Sequence, residues 1–218
     1  LTRGGTILGT SRTPFKRLDT PEADGVDKVA AMKETYRELK LDCLFMLGGN
    51  GSTKTANRLR EEGLSVIALP KTIDNDTWGT DLTFGFTSAV EIATKCIDDI
   101  HTTASSHGRV FVIEIMGHKV GWIPLYAAVA GGADVCLIPE IPYDMDNVIA
   151  AINRRMQAGA RFTIIVVAEG AISRDEATLS KKEYKKLVAA RTSPSIVYDI
   201  AREIEARTGR ETRVGNPR

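Results

Sequence analysis

Two short apolar runs, each ending in a polar loop, decide the fold of this chain. The first is Cys43-Leu44-Phe45-Met46-Leu47, followed by Gly48-Gly49-Asn50-Gly51-Ser52. The second is Val66-Ile67-Ala68-Leu69, followed by Pro70-Lys71-Thr72-Ile73-Asp74-Asn75-Asp76. Apolar runs of this length, bounded by glycine or proline, predict buried strands. Because α/β proteins place their ligands at the carboxyl ends of parallel strands, we expect both loops to open on one edge of a parallel sheet.

Strands and helices alternate along the rest of the sequence. Apolar residues at helical spacing predict the helices, and short apolar runs predict the strands between them. The predicted helices cover residues 24–39, 53–62, 87–106, 121–129, 145–157, 181–190 and 195–207, and the further strands cover 110–115, 135–138 and 162–168. Asp144 is the expected N-cap of the helix 145–157. This alternation predicts an α/β fold of doubly wound parallel sheets, with helices on both faces and right-handed crossovers.

The glycine loop after the first strand is suited to binding phosphate. Glycine has no Cβ, so Gly48, Gly49 and Gly51 can take positive φ angles and let a polyanion approach the backbone. Ser52 is a favourable N-cap, and the N-terminus of the helix that follows it offers free N–H groups and a partial positive charge. The pattern is neither a Walker motif nor GxGxxG, and an ordinary strand-to-helix turn explains the glycines equally well.

The loop after the second strand carries a more specific set of groups. Pro70 favours extended backbone, in which residues two apart lie on the same side of the chain. A hydroxyl that attacks a phosphoryl group needs a carboxylate to take its proton and a cation to neutralise the phosphate oxygens. Asp74 fits the base, and Asp76 fits a Mg²⁺ ligand or a group that orients its neighbour. Thr72 and Lys71 fit donors to phosphate oxygens, and the alternative is an exposed turn, since Asp-Asn-Asp is common turn chemistry.

Composition and charge narrow the class of protein. The 218 residues are 43% hydrophobic and 26% charged, which provides for a buried core and argues against a disordered chain. The 29 basic and 28 acidic residues give a net charge of +1, so charge offers no reason to expect nucleic acid or an acidic membrane as a partner. No apolar run approaches the ~20 residues of a transmembrane helix, and no signal peptide is recognisable.

The cysteines indicate a reducing compartment. Cys43, Cys96 and Cys136 are odd in number and far apart in the sequence. They fit reduced core cysteines better than a metal site or a set of disulfides. We therefore expect a cytoplasmic protein.

Several motifs, in order along the chain, resemble the phosphofructokinase family. The resemblance begins at Arg3-Gly4-Gly5-Thr6 and runs nearly to the end of the sequence. Besides the two loops above, the segments that carry it are Thr102-Thr103-Ala104-Ser105-Ser106-His107, Glu114-Ile115-Met116-Gly117-His118-Lys119-Val120-Gly121-Trp122, Ala130-Gly131-Gly132-Ala133-Asp134, Ile138-Pro139-Glu140 and Gly209-Arg210-Glu211-Thr212-Arg213. So many ordered motifs exclude a chance resemblance.

The resemblance implies an architecture and an activity. It implies two Rossmann-like domains with a junction near Gly85: residues 1–85 as part of the phosphoryl-donor domain, 86–214 as the sugar-phosphate domain, and 215–218 as the start of the return to the first domain. It implies glycolytic transfer of a phosphoryl group to the 1-hydroxyl of fructose 6-phosphate, from ATP or, in some branches, from pyrophosphate. The implied cofactor is Mg²⁺.

The resemblance also implies roles in the sugar-phosphate domain. Arg109 and Arg213 would bind the 6-phosphate in the pocket of a neighbouring subunit, a task that suits the bidentate fork of arginine. The protein would then be a homo-oligomer, expected as a dimer of dimers. Glu169 would accept sugar hydroxyl protons, with Met116 and Gly117 beside it. Without the motifs around it, each arginine would be interpreted as a solvated surface cation.

Two positions depart from the common pattern of the family. Asn50 stands where most members have an aspartate that helps to hold the Mg²⁺ of the nucleotide. Asparagine keeps a carbonyl ligand but loses a charge, so weaker metal binding is expected there. His118 replaces the usual arginine after Met-Gly, which stabilises charge in the transition state. A neutral imidazole does this less well, and Lys71 is the cation expected to compensate.

The choice of phosphoryl donor depends on Gly51. In pyrophosphate-dependent members this position usually carries an aspartate, whose side chain and charge occupy the space of the α-phosphate of a nucleotide. Glycine leaves that space open, so Gly51 favours ATP, whereas Lys71 is compatible with either donor. Arg12 matches an arginine that, in the family, bridges the donor phosphate and the sugar phosphate.

Compared with the family pattern, the sequence is expected to be incomplete. No first strand with a glycine-rich loop precedes Leu1, and the helices that complete the first domain do not follow. Gly215-Asn216-Pro217-Arg218 comes directly after Val214, where the family has a segment with a histidine and an arginine that bind the sugar phosphate.

Three alternatives to an ATP-dependent phosphofructokinase stay open at this point. A pyrophosphate-dependent phosphofructokinase differs only in its donor. A kinase with a glycine-glycine-aspartate-glycine loop, such as an NAD kinase or a lipid kinase, explains the first loop and the fold but not the motifs 70–76 and 114–121. A non-catalytic paralogue that binds sugar phosphate or nucleotide is supported by Asn50 and His118 and opposed by the intact Thr72, Asp74 and Asp76.

Overall fold

A computed structural model describes residues 7, 9, 17–21, 23 and 25–216 of the chain. The described residues form two compact units. The first unit contains the described residues up to Thr72, together with Thr77–Thr80. The second unit contains Ile73–Asp76 and the described residues from Asp81 onward. The predicted junction near Gly85 stays a prediction.

The first unit is built on a parallel pair of strands. Its elements are, in chain order, α1 (Lys28–Glu38), β1 (Leu44–Gly48), α2 (Asn50–Glu61) and β2 (Val66–Pro70). Gly48 at the end of β1 lies opposite Pro70 at the end of β2. Leu44 and Met46 of β1 pack against a buried cluster formed by Leu18, Val29 and Leu59. The parallel pairing confirms that the two predicted loops leave the same edge of this sheet.

The second face of this strand pair is exposed in the described part of the chain. Phe45 and Leu47 alternate with the packed residues of β1 and therefore point to the opposite face. Their side chains are 58% and 53% exposed. The described helices of the first unit thus pack on one face of its sheet.

The second unit is built on a four-stranded parallel sheet with helices on both faces. Its elements are, in chain order, α3 (Phe86–His107), β3 (Val110–Ile115), α4 (Trp122–Ala130), β4 (Val135–Leu137), α5 (Met145–Gln157), β5 (Thr163–Ala168), α6 (Arg174–Ala177), α7 (Lys181–Ala190), α8 (Ile196–Thr208) and β6 (Thr212–Gly215). The strand order is β4-β5-β3-β6, and each neighbouring pair is parallel. Helices α3 and α4 pack on one face, and α5 and α8 pack on the other. This is the predicted doubly wound α/β arrangement.

The two central strands of this sheet, β3 and β5, are covered by helices on both faces, and this explains their mostly apolar sequences. All residues of β5 are buried. In β3, Val110 and Val112 pack on the side of α5 and α8, whereas Ile113 and Ile115 pack on the side of α3 and α4. A parallel strand covered on both faces favours apolar residues at nearly every position rather than at alternate ones. Glu114 is the exception in β3, and Asn216 Nδ2 donates to its Oε2 at 2.5 Å.

One predicted helix cap is confirmed, and one short helix was not predicted. Asp144 accepts the N–H of Asp146 at 2.9 Å, so the predicted cap of α5 is confirmed. The four-residue helix α6 was not predicted, because it is too short to show a helical period. Its signal was the capping box formed by Ser173 and Glu176. None of the described helices is both long and apolar enough to span a bilayer.

Candidate functional site

The glycine loop of the first unit turns β1 directly into α2. Gly49 is the N-cap, with φ −90° and no side-chain hydrogen bond to the cap, and the helix begins at Asn50. Ser52 therefore lies in the first turn, and the prediction that it caps the helix is wrong. Gly48, Gly49 and Gly51 do not use the positive φ angles that glycine allows. Glycine is needed at Gly48 for a different reason, because a Cβ there would lie 2.1 Å from Ser52 Oγ.

The first turn of α2 is open to an anion. An α-helix leaves its first N–H groups without intrahelical acceptors and carries a partial positive charge at this end. No acidic residue lies in the first turn of α2. A Cβ at Gly51 would meet no atom within 4 Å, so the turn is accessible at that position. These features match those of phosphate-binding helix N-termini.

Thr72 and Lys71 lie next to the glycine loop, within the first unit. The N–H of Lys71 donates to the carbonyl oxygen of Gly48 at 2.9 Å. A Cβ on Gly49 would lie 3.3 Å from Thr72 Cβ, so any residue larger than glycine at this position would crowd the side chain of Thr72. The structure therefore brings these predicted donor-binding residues together, and their roles stay a prediction. Arg12, the remaining predicted donor ligand, lies outside the described residues.

The base loop, with Asp74 and Asp76, belongs to the second unit. The chain bends at Ile73 and Asp74, and Asn75 has a φ of 54°, so the predicted extended segment is wrong. Ile73 packs against the apolar cluster beneath α3 and α4. Asn75 Oδ1 accepts the N–H of Thr83 at 2.9 Å. Asparagine tolerates the left-handed conformation better than most residues, and its bond to Thr83 explains why the backbone leaves the extended region.

The turn after β3 brings four of the predicted substrate residues together. Val120 N–H donates to the carbonyl oxygen of Gly117 at 2.9 Å and closes the turn. The N–H groups of Gly117 and His118 both donate to Glu169 Oε1, at 3.3 Å and 2.5 Å. Met116, which opens the turn, is 45% exposed. The turn after β3 and the residue after β5 thus meet at the carboxyl edge of the sheet, as predicted.

His118 has a strained backbone. Its φ is 51°, and among the described residues other than glycine only Lys40, Asn75 and His118 have positive φ angles. Such conformations persist where the surroundings over-determine them, and they cluster at functional sites. Asn75 and His118 lie in the base loop and in the turn after β3, which are the segments of the second unit predicted to carry the chemistry.

The two predicted phosphate-binding arginines lie at the opposite end of the sheet. Arg109 directly precedes β3, and Arg213 lies in β6 opposite Phe111. The six residues of β3 place Arg109 about 20 Å from the turn at its carboxyl end. The structure therefore does not bring these arginines to Glu169 of the same chain.

Glu211 holds both arginines. Its carboxylate lies 2.6 Å from Arg109 Nε through Oε2, and its Oε1 pairs with Arg213. The hydrogen bond from Arg109, assisted by the charges of both arginines, lowers the pKa of Glu211 below its ordinary value. The two guanidinium groups are thus held side by side, as a phosphate-binding pair would need to be.

Asn50 and Asp76 are the predicted metal ligands, and their chemistry fits Mg²⁺. In the described part of the chain, no group of three or more His, Cys, Asp or Glu side chains is placed to hold a metal ion. Mg²⁺ does not need such a cage, because it binds through one or two carboxylates together with substrate phosphates and water. Both side chains are exposed, and each offers a hard oxygen donor.

Sequence reasoning missed the residues that hold these loops in place. Asn75 and Glu211 were parts of motifs without an assigned role, and so was Glu140, whose Oε1 accepts the N–H of Gly121 at 2.8 Å. The available signal for Glu140 was its position after an apolar strand, the same signal that identified Glu169. The contacts of Glu211 and Glu140 depend on the strand order, which a single sequence does not give. The contact of Asn75 depends on the path of the loop to Thr83.

Comparison with known proteins places this geometry in a family. The family model for phosphofructokinase matches residues 1–217. A protein of Spirochaeta thermophila named ATP-dependent 6-phosphofructokinase is 57% identical, over 98% of this chain and 59% of its own length. ATP-dependent 6-phosphofructokinase 3 of Bacteroides thetaiotaomicron is 48% identical, over 98% of this chain and 58% of its own length. The structure of phosphofructokinase from Saccharomyces cerevisiae superposes with a TM-score of 0.77 at 30% identity, over 97% of this chain and 29% of that chain.

These matches cover nearly all of the chain but not all of its relatives. The chain spans about three fifths of the length of the curated relatives it matches. The residues that the family model matches include the two loops of the first sheet and the turn after β3. The chain belongs to the phosphofructokinase family.

Proposed function

We propose that the protein is an ATP-dependent 6-phosphofructokinase, which transfers the γ-phosphoryl group of ATP to the 1-hydroxyl of fructose 6-phosphate. The products are fructose 1,6-bisphosphate and ADP, and the reaction belongs to glycolysis. The observation that carries this proposal is the 57% identity to a relative that is named for this activity. Since glycolytic enzymes act in the cytoplasm, we expect the protein there, where thiols such as Cys43, Cys96 and Cys136 stay reduced.

The second unit supplies the groups that act on the sugar. Asp74 takes the proton of the attacking 1-hydroxyl, and Ile73 and Asn75 hold the backbone on either side of it. Glu169 uses Oε1 to hold the turn after β3. Its Oε2 is then the oxygen that accepts a sugar hydroxyl proton, and Met116 and Gly117 line the same place. His118 stabilises the charge that develops on the transferred group.

The first unit supplies the groups that bind the donor. The open N-terminus of α2 and the close-packed Gly48 and Gly49 receive the donor phosphates. Lys71 and Thr72 donate to oxygens of the transferred group. Asn50 would offer Mg²⁺ a carbonyl ligand from this unit, and bound Mg²⁺ would neutralise charge on the phosphate oxygens. The open space at Gly51 supports ATP rather than pyrophosphate as the donor.

A second copy of the chain completes the sugar-phosphate site. Arg109 and Arg213 lie about a strand length from Glu169 of their own chain, so they serve a different site. We propose that they bind the 6-phosphate in a neighbouring subunit, within a dimer of dimers. Glu211 keeps the two guanidinium groups together for that contact.

A comparison of donors tests the proposed function. Full-length protein is assayed with fructose 6-phosphate, Mg²⁺ and either ATP or pyrophosphate, and fructose 1,6-bisphosphate is measured through coupled aldolase. We expect a rate with ATP at least about 10-fold above that with pyrophosphate, which corresponds to 1.4 kcal/mol of discrimination. A higher rate with pyrophosphate would reverse the donor assignment. No product with either donor, together with measurable binding of fructose 6-phosphate, would indicate a non-catalytic paralogue.

A further inference from the structure

Carboxylates from two neighbouring strands hold the turn that carries His118. In the strand order β4-β5-β3, Glu140 comes after β4 and Glu169 comes after β5. Glu169 accepts the N–H groups of Gly117 and His118, at the start of the turn. Glu140 Oε1 accepts the N–H of Gly121, at its end, at 2.8 Å. The turn is therefore tied at its start to the residue after β5, the neighbouring strand, and at its end to a residue after β4, the strand beyond it.

The backbone of the turn is also pressed closely against its neighbours. A Cβ on Gly121 would lie 2.5 Å from Ile138 Cβ and 2.7 Å from Glu140 Oε2. A Cβ on Gly170 would lie 2.1 Å from the carbonyl oxygen of His118. At both positions, these distances exclude any residue larger than glycine unless the neighbouring atoms move. The position of the turn thus depends on close approach as well as on its hydrogen bonds.

Glu140 acts at the junction between the turn and a helix. The N-cap of α4 is Gly121, which has no side chain that could cap the helix. A carboxylate at this end interacts favourably with the helix dipole, and its hydrogen bond to an N–H group is charge-assisted. Glu140 therefore fixes Gly121, which is both the N-cap of α4 and the last residue of the turn.

We propose that Glu140 is a positioning residue for phosphoryl transfer, which holds His118 in its left-handed conformation by anchoring Gly121. A residue with a φ of 51° keeps that angle only if both sides of it are held. Glu169 holds one side and Glu140 holds the other. This inference rests on the proposed function, because it assigns His118 a part in the reaction.

Three variants of Glu140 show separately how its hydrogen bond, its negative charge and the length of its side chain affect kcat. Glu140→Gln keeps a side-chain acceptor, and we expect kcat within about threefold of wild type, since a neutral hydrogen bond is roughly half as strong as a charged one. Glu140→Ala removes the acceptor, and we expect kcat to fall about 10-fold or more with KM for ATP within about twofold, as for a misplaced catalytic group. Glu140→Asp shortens the reach and carries the same expectation as Glu140→Ala, which keeps the test valid if the alanine variant does not fold.

Asp144 provides a matched control in the same unit. It also accepts a backbone N–H at a helix N-terminus, that of Asp146 in α5. Asp144→Ala should lower the melting temperature without lowering kcat per folded molecule. If Asp144→Ala and Glu140→Ala lower kcat equally, Glu140 is only a helix cap and the proposal is wrong.

A double-mutant cycle shows whether Glu140 acts through His118. In a His118→Ala background, we expect Glu140→Ala to lower kcat by less than about twofold, because the positioned group is already absent. A further decrease in kcat of about 10-fold in that background would overturn the proposal.

Amide hydrogen exchange tests the anchor independently of activity. We expect the peptide that covers residues 116–123 to exchange faster in Glu140→Ala than in wild type or Glu140→Gln, whether or not the protein transfers phosphate. Unchanged exchange would show that Glu140 does not anchor the turn. Faster exchange in a protein that makes no fructose 1,6-bisphosphate with either donor would preserve the anchor but refute the proposed function, and with it the role of His118.

Discussion

Asn75 Oδ1 accepts the backbone N–H of Thr83 at 2.9 Å, and this bond anchors the residue between Asp74 and Asp76. Thr83 is only 2% exposed, so its N–H needs a partner within the protein. Asn75 supplies that partner from a left-handed conformation, with φ 54°. The two carboxylates of the base loop are therefore set by a contact eight residues away in the chain, and not by local turn chemistry.

Substitutions at Asn75 should separate the hydrogen bond from the backbone conformation. Asn75→Gly keeps the left-handed angle but leaves a buried N–H unpaired, at an expected cost of about 1–3 kcal/mol in the free energy of unfolding. Asn75→Ala loses the bond and, unlike the glycine variant, keeps a Cβ in the left-handed region, which adds about 1–2 kcal/mol relative to Asn75→Gly. Urea denaturation of the three proteins measures both costs. Equal stability of the alanine and glycine variants would show that the backbone angle at Asn75 carries no strain.

Subunit mixing should reveal whether Arg109 serves a neighbouring chain. Asp74→Asn and Arg109→Ala should each inactivate the protein. If each site takes Asp74 from one chain and Arg109 from another, a 1:1 mixture refolded together should regain about a quarter of wild-type activity, since half of the dimers are mixed and each has one intact site. The assay is fructose 1,6-bisphosphate formation before and after mixing. A mixture that stays inactive would place Arg109 and Asp74 in the same chain's site.

Gly51→Asp should change the choice of donor. A carboxylate at this position would repel the α-phosphate of ATP, at a cost of about 1–3 kcal/mol or roughly 5- to 150-fold in kcat/KM. Use of pyrophosphate should change much less. The space around Gly51 accepts a side chain, so Gly51→Ala is a suitable control that adds Cβ without charge. Equal losses with both donors, or with alanine as well as aspartate, would show that Gly51 does not select the donor.

The ion pair between Glu211 and Arg109 should make the stability of the folded protein depend on pH. The hydrogen bond from Arg109 lowers the pKa of Glu211 in the folded protein. A group with a lowered folded pKa stabilises the protein above its unfolded pKa, about 4.3 for glutamate, and loses that contribution as the pH falls through the folded value. The melting temperature of wild type should thus exceed that of Glu211→Gln at pH 6–7, and the difference should shrink below about pH 4. A constant difference from pH 7 to pH 3 would contradict this account.

The sequence predicts most clearly where local signals are strong. Strand β3 and helix α5 have the predicted bounds, because a mostly apolar run identifies the buried strand and Asp144 marks the start of the helix. Gly48 and Pro70 lie opposite each other because they end two strands of a parallel sheet, and the order of elements already implies such a sheet. The bounds of β3 and α5 depend on residues close together in the chain.

The remaining features depend on the path that the folded chain takes. Ser52 has a good capping side chain, but the helix begins at Asn50, three residues before its predicted start, and Gly48 leaves Ser52 Oγ the space it occupies. Asn75 leaves the extended region to reach Thr83. Glu140 meets Gly121 because β4 and β3 flank β5 in the sheet. No sequence pattern around these residues indicates the contacts that they make.

The most direct test of the central claim is the turnover of Asp74→Asn in the full-length protein, measured beside the affinity for fructose 6-phosphate. Asparagine has nearly the same shape as aspartate but cannot take the proton of the attacking hydroxyl. We expect kcat with ATP to fall about 10²- to 10⁴-fold, whereas the Kd for fructose 6-phosphate, measured by calorimetry, should stay within about twofold. Near-normal turnover of Asp74→Asn would contradict the assignment of Asp74 as the general base and leave the base loop as an ordinary turn.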